Sequence, residues 1–205
     1  MGAHERDTLT AEWDERYKGW DLSGAQPNAV LIAETAGLTA GRALDIGCGL
    51  GAEAIWLAQQ GWRVTAMDVS QVALDRAAQR AQDAGVQVQW CRGSLEDAEL
   101  PSDGFDLVTA HYPALRHSAG GDAQKALLGA VGPGGTLLVV HHADVDEATA
   151  KAHGFDPADY LMHDDVVALL GDGWEVRVQR RRPRATPAGA QGQHTHDDVV
   201  VARRR

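Results

Sequence analysis

The chain has 205 residues and a formal net charge of −10, with 44% hydrophobic, 23% charged and 5% aromatic residues. That size and apolar content suit one globular domain with a continuous core, and the acidic balance repels polyanions, which argues against a nucleic-acid partner. The apolar runs, such as 136–140 and 199–202, are strand-sized, no basic and apolar leader opens the sequence, and Cys48 and Cys91 stand far apart. Those features indicate no membrane span, no cysteine zinc site and no disulfide framework, and lead to the expectation of a cytoplasmic protein.

Taken in order, apolar periodicity switches repeatedly between helical and extended, as in a parallel sheet covered on both faces. Thr10 caps a first helix through Tyr17, and Asn28 caps a second through Ala36 before Gly37. A strand over 42–46, a helix over 51–60 and a strand over 63–67 follow. Ser70 caps a helix to Ala84, with strands at 86–90 and 106–110 beyond it. After a helix over 123–131, Gly132-Pro133-Gly134-Gly135 reads as a tight turn feeding a strand over 136–140. A helix capped by His163 or Asp164 runs to Leu170, and strands at 174–179 and 198–202 are joined by a long loop rich in Pro, Gly and Ala. The expectation is a doubly wound, mostly parallel α/β sheet of seven strands in one domain, 1–205, with 1–36 as a helical lid.

The sharpest feature is Asp45-Ile46-Gly47-Cys48-Gly49-Leu50-Gly51, a strand ending in a glycine turn that opens a helix, with Asp68 closing the next strand. Glycines let backbone turn tightly against a ligand, and an acid ending the second strand accepts from both hydroxyls of a ribose. A dinucleotide enzyme spaces its last two glycines three apart, whereas Gly49 and Gly51 are two apart. That spacing disfavours a nicotinamide oxidoreductase. Asp45 would oppose a pyrophosphate but suits a ligand carrying an ammonium and a sulfonium.

On these residues the sequence resembles the S-adenosylmethionine-dependent class I methyltransferases, a Rossmann-like fold, over nearly its whole length. The resemblance also covers 64–70, Gly104-Phe105-Asp106-Leu107-Val108 and Pro133-Gly134-Gly135-Thr136-Leu137. It implies that Asp45, Gly47, Cys48, Gly49 and Gly51 line the methionine part of the cofactor, Asp68 the ribose, and Val69, Ser94 and Leu95 the adenine. Ser94 stands where many relatives carry Asp, which leaves a weaker acceptor for the adenine amino group. The resemblance further implies an antiparallel last strand.

In an open parallel sheet, ligands lie beyond the carboxyl ends of the strands. His111-Tyr112 follow the fourth strand, His141-His142 the fifth, and His194 and His196 precede the last, so histidines from three distant segments are expected at one edge. Methyl transfer from a sulfonium needs mainly alignment, with a base where the acceptor carries a proton. His111, which also borders the cofactor, is the expected base, Tyr112 the orienting residue and His141 an alternate base. Trp13, Tyr17, Trp20, Tyr112, His142 and His196 are expected around a small-molecule acceptor. A competing reading is a non-catalytic metal binder using His111, His141, His142, His194 and His196. The N-terminal pattern of tryptophans with Arg16-Tyr17 and Pro27-Asn28 is similar to the small tellurite-resistance and thiol or halide methyltransferases, which implies a soft acceptor such as sulfur.

Overall fold

A computed structural model describes residues 3–19, 25–118, 120–152, 154–184 and 195–205, with the side chains of 3–7 excluded. Its elements are α1 (Ala3–Gly19), α2 (Ala29–Thr35), β1 (Arg42–Ile46), α3 (Ala52–Gln59), β2 (Arg63–Asp68), α4 (Gln71–Asp83), β3 (Gln89–Arg92), β4 (Phe105–His111), α5 (Asp122–Gly129), β5 (Val131–His142), α6 (Glu147–Ala152), α7 (His163–Leu169), β6 (Trp174–Pro183) and β7 (His196–Arg204). One sheet runs β3-β2-β1-β4-β5-β7-β6. Its first five strands are parallel neighbours and β7 runs antiparallel to both β5 and β6.

Strand alternation divides the core into two layers. Leu44, Ile46, Val108, Ala110, Leu137, Val139 and Val200 face α5 and α7, where Leu127 and Val166 meet them. Ala43, Val64, Ala66, Leu107, Leu138, Val140 and Val199 face the other way, onto Val30 and Leu31 of α2, Ala54 and Leu57 of α3 and Leu74 of α4. Both faces of the central strands are therefore dry, which is why those strands read as nearly continuous apolar runs. Among the described residues no helix is long and apolar enough to cross a membrane.

Several boundaries differ from expectation. The first helix begins at Ala3, about two turns before Thr10, and Leu9, Trp13 and Tyr17 succeed one another at helical spacing along it, Leu9 and Tyr17 buried. The third strand pairs only from Gln89, since the Val86 amide is still closing α4 by donating to the Ala81 carbonyl. The Gly132-Pro133-Gly134-Gly135 segment lies within β5, which crosses an irregularity between Phe105↔Val131 and Leu107↔Thr136. The cap of α7 falls on Met162, whose amide donates to the Asp165 carboxylate at 2.8 Å, rather than on His163 or Asp164. α6 was not foreseen, having no buried residue to write a periodic pattern.

Candidate active site

Glycine at 47, 49 and 51 adopts positive φ, +66°, +50° and +74°, so the chain folds back sharply between β1 and α3. The Cys48 amide donates to the Met67 carbonyl, which ties this turn to the end of β2. There Asp68 accepts from the Gly49 amide through Oδ2 and from the Ser70 amide through Oδ1, each at 2.9 Å. Burial pushes the Asp68 carboxyl up, opposed by the Ser70, Gly49 and Val69 amides. A carboxylate offers about four lone-pair sites, so each oxygen keeps capacity for one more donor.

Asp68 lines a cleft enclosing about 720 Å³ of space, part of it open to solvent, with Gly47, Val69, Ser94 and Leu95. A side chain at Gly47 or Gly93 would meet nothing within 4 Å; the cradle is kept open at both. Cys48, Gly49, Gly51 and Asp45 are not among the residues lining it. Asp45 is 1% exposed, its Oδ2 has no partner, and burial, with Glu53 and Asp68 nearby, drives its carboxyl well above the usual range. Ser94 turns its hydroxyl to the Asp97 carboxylate at 2.9 Å.

α1 roofs the cleft with Leu9, Trp13 and Tyr17. Asp14 anchors it, accepting from the Ser70 hydroxyl at 2.5 Å and the Val72 amide at 3.2 Å. Burial opposes ionisation of Asp14, but these bonds hold its pKa below the ordinary value. Arg76 donates to the Tyr17 carbonyl at 2.6 Å and closes the far end. The Tyr17 hydroxyl sits so near the glycine turn that a Cβ at Gly49 would come within 2.8 Å of it. Burial, then Asp68, raises the Tyr17 pKa far above its usual value, so the hydroxyl stays protonated. Trp20 lies outside the described residues.

The histidine edge is divided by strand alternation. On the α2 and α3 side, Tyr112, at φ +53°, stacks on His142 with ring centroids 3.9 Å apart. Its hydroxyl accepts from the Asn28 amide nitrogen at 2.7 Å and donates to Asp197 at 3.0 Å. Asp197, 1% exposed, also has the Arg184 Nε at 3.6 Å and the His142 Nδ1 at 3.7 Å. Burial would raise its pKa; His142, Arg184 and Tyr112 together bring it below the ordinary value. Burial and Asp197 in turn raise the Tyr112 pKa, which makes the phenol a fixed donor rather than a base.

His111 is on this side too. Both its ring nitrogens are sealed from solvent without a partner, and burial lowers its pKa, partly offset by Glu53 and Asp197. Glu53 itself accepts from the Asn28 amide at 3.0 Å. His141 and His196 belong to the opposite layer. His141 is 4% exposed with Nε2 3.1 Å from the Leu161 carbonyl, and burial pushes its pKa down to about 4. His196 pairs with Thr195 at 2.9 Å. His194 lies outside the described residues. The expected convergence of all the histidines thus resolves into His111, Tyr112 and His142 on one face and His141 and His196 on the other, because adjacent strand residues point apart. Among the described residues no group of three His, Cys, Asp or Glu side chains is placed to hold a metal. Of the expected acceptor-side residues, Trp13, Tyr17 and Tyr112 line the cleft.

Sequence reasoning missed Glu53, Arg184 and Asp197, and took Asn28 only as a cap. Asn28 is both, since its Oδ1 accepts from the Val30 amide at 2.8 Å while its Nδ2 holds Tyr112. Asp197 had a readable signal: an acid opening a strand that continues as Val199-Val200-Val201.

The methyltransferase-domain family matches residues 43–135, from β1 through the glycine segment of β5. That stretch is similar to a methyltransferase domain. An uncharacterized methyltransferase of Mycobacterium tuberculosis is 42% identical over 100 residues, 47% of this chain and 48% of that protein. The chain spans about half the length of such curated relatives. A structure from work on the conversion of a disulfide bond into a thioacetal group during echinomycin biosynthesis shares the fold with a TM-score of 0.73 at 23% identity, covering 96% of this chain and 92% of that one. The magnesium protoporphyrin IX methyltransferase of Synechocystis PCC 6803, solved with bound S-adenosylhomocysteine, does so at 0.62 and 22% identity, covering 86% and 80%. The glycine turn and Asp68 lie inside the matched stretch, whereas Asn28, Asp197 and the roof helix lie outside it.

Proposed function

We propose that this chain transfers a methyl group from S-adenosylmethionine to a sulfur, nitrogen or oxygen nucleophile on a small molecule. The observation that carries the reading is Asp68, held by two backbone amides at the lip of a cleft whose glycine floor is open and whose roof is α1. When bound, S-adenosylmethionine supplies an activated methyl carbon on a sulfonium. Asp68 holds the ribose hydroxyls, the Gly47 turn the amino-acid portion, and Val69, Ser94 and Leu95 surround the adenine. Asp45, whose buried carboxyl keeps an unpartnered oxygen behind the turn, reaches a bound ligand only through the backbone or a bridging water.

Trp13 and Tyr17 cover the cleft and exclude water, which strengthens electrostatic contacts inside it. Tyr112, fixed by Asn28 and Asp197, bounds the acceptor beside His142. His111, neutral at physiological pH because burial lowers its pKa, stands behind the cleft wall and not on it as expected, and takes the proton of an acceptor only where that acceptor reaches past Tyr112. His141 is set aside as a base because its ring faces the other layer. A soft acceptor such as a thiol accords with the sulfur chemistry of the structure related by fold.

The test is calorimetric titration with S-adenosylhomocysteine. Asp68→Ala removes a hydrogen-bonding carboxylate, a change of about 1.5–3 kcal/mol, and should weaken binding on the order of tenfold to a hundredfold. Unchanged affinity would overturn the reading.

A further inference from the structure

In a chain of net charge −10, the arginines of the β6 edge and the segment after it are taken up by acids. Arg177 and Arg182 pair with Glu34, Arg180 with Asp164 and Asp198, Arg181 with Asp144, and Arg184 with Asp197. Arg116 is different. It lines the cleft beyond β4, and its Nε is sealed from solvent with no partner. Among the described residues no carboxylate stands within ion-pair distance of its guanidinium, Glu96 on the same cleft included. A buried donor on a charged group left unmade costs about 1–3 kcal/mol or more, so a guanidinium with its Nε unmet, facing a ligand cleft, asks for an anion.

The guanidinium is also held in place before any ligand arrives. Arg116 forms a backbone bridge with Tyr160, and its Cζ lies 5.6 Å from the Tyr160 ring centroid. On either side, the Leu161 amide donates to the Leu115 carbonyl at 2.7 Å and the His117 amide to the Asp159 carbonyl at 2.9 Å. The neighbouring walls are Leu9, Trp13, Pro113 and Leu115. A planar fork set in apolar and aromatic surroundings fits a planar carboxylate on an apolar body.

We infer that Arg116 binds a carboxylate in this cleft, and that the carboxylate belongs to the methyl acceptor, a small organic acid with an apolar or aromatic body. The inference rests on the methyl-transfer reading only in naming that ligand the acceptor. The other source of the same chemistry is the carboxylate of the cofactor's own amino-acid portion.

Calorimetric titration of benzoate and of benzamide into protein saturated with S-adenosylhomocysteine separates these. Wild type should bind benzoate at least tenfold more tightly than benzamide. Arg116→Gln should erase that preference, Arg116→Lys should retain part of it, and affinity for S-adenosylhomocysteine should stay within threefold in both. Absence of a benzoate preference in wild type, or its survival in Arg116→Gln, overturns the inference. So does a tenfold loss of S-adenosylhomocysteine affinity in Arg116→Gln, which would give the guanidinium to the cofactor. Failure of wild type to bind S-adenosylhomocysteine at all counts against the donor site at Asp68 instead, and the benzoate comparison is then read on the unliganded protein.

Discussion

The two halves of the strand-end edge are built by different means. At the β1 and β2 end, the turn and Asp68 are assembled from residues 45 to 70, held by backbone amides and positive-φ glycines. At the β4, β5 and β7 end, the geometry depends on side chains from four separate segments, Asn28, Tyr112, His142 and Asp197, of which the first three are half-buried around the buried Asp197. Backbone cradles tolerate change in their neighbours. Buried polar networks do not, since each group that loses its partner is left desolvated.

That contrast predicts that damage at the second end leaves cofactor binding intact. The largest effect is expected from His111→Asn, which should lower turnover of a proton-bearing acceptor by about 10²–10⁴-fold without moving affinity for S-adenosylhomocysteine. In the wild type, turnover should fall as the pH drops through a midpoint below 6.5, since the base must be neutral and burial lowers its pKa; that inflection should vanish in the variant. A matching drop in cofactor affinity would erase the distinction between the two ends.

Next comes an acid response from the opposite layer. His141 has a pKa of about 4 in the fold against an ordinary value of 6.5. The unfolded chain therefore binds a proton first as the pH falls, and stability, complete above about 6.5, declines between there and pH 4 by roughly 3 kcal/mol. Urea unfolding across that range should show the slope, and His141→Gln should flatten it. An unchanged slope would mean that His141 is not the group buried neutral.

The smallest effect sharpens the comparison at the β1 and β2 end. Asp14→Ala removes the acceptor of the Ser70 hydroxyl and Val72 amide bonds, a loss of about 1 kcal/mol. Amide exchange along α1 should quicken and S-adenosylhomocysteine should bind a few-fold more weakly, while the cradle beneath persists. Exchange in α1 at the wild-type rate would show that Asp14 is not its anchor.

What could be read before any coordinates were known follows this same division. β1 emerged with the bounds expected of it, and the Ser70 and Asn28 caps were legible because each is a short-range rule: an acceptor side chain two or three residues ahead of an open amide. The Asp68 position was legible because strand length and the glycine turn determine where the second strand ends. The histidines misled for a physical reason. Sequence places them all near one edge, but alternation sends His141 and His142 to opposite layers.

By itself, then, the sequence determined the alternation of elements, the glycine turn and the acid that faces it, since these depend on local backbone conformation and a period of two or about 3.6 residues. Only the tertiary structure decided that Asn28, Tyr112 and Asp197 meet across separations of more than eighty residues, that α1 roofs the cleft, and that Arg116 has no counter-ion among the described residues. Contacts of that kind arise from how layers stack and which charges are excluded from water, and no short-range pattern in the chain records them.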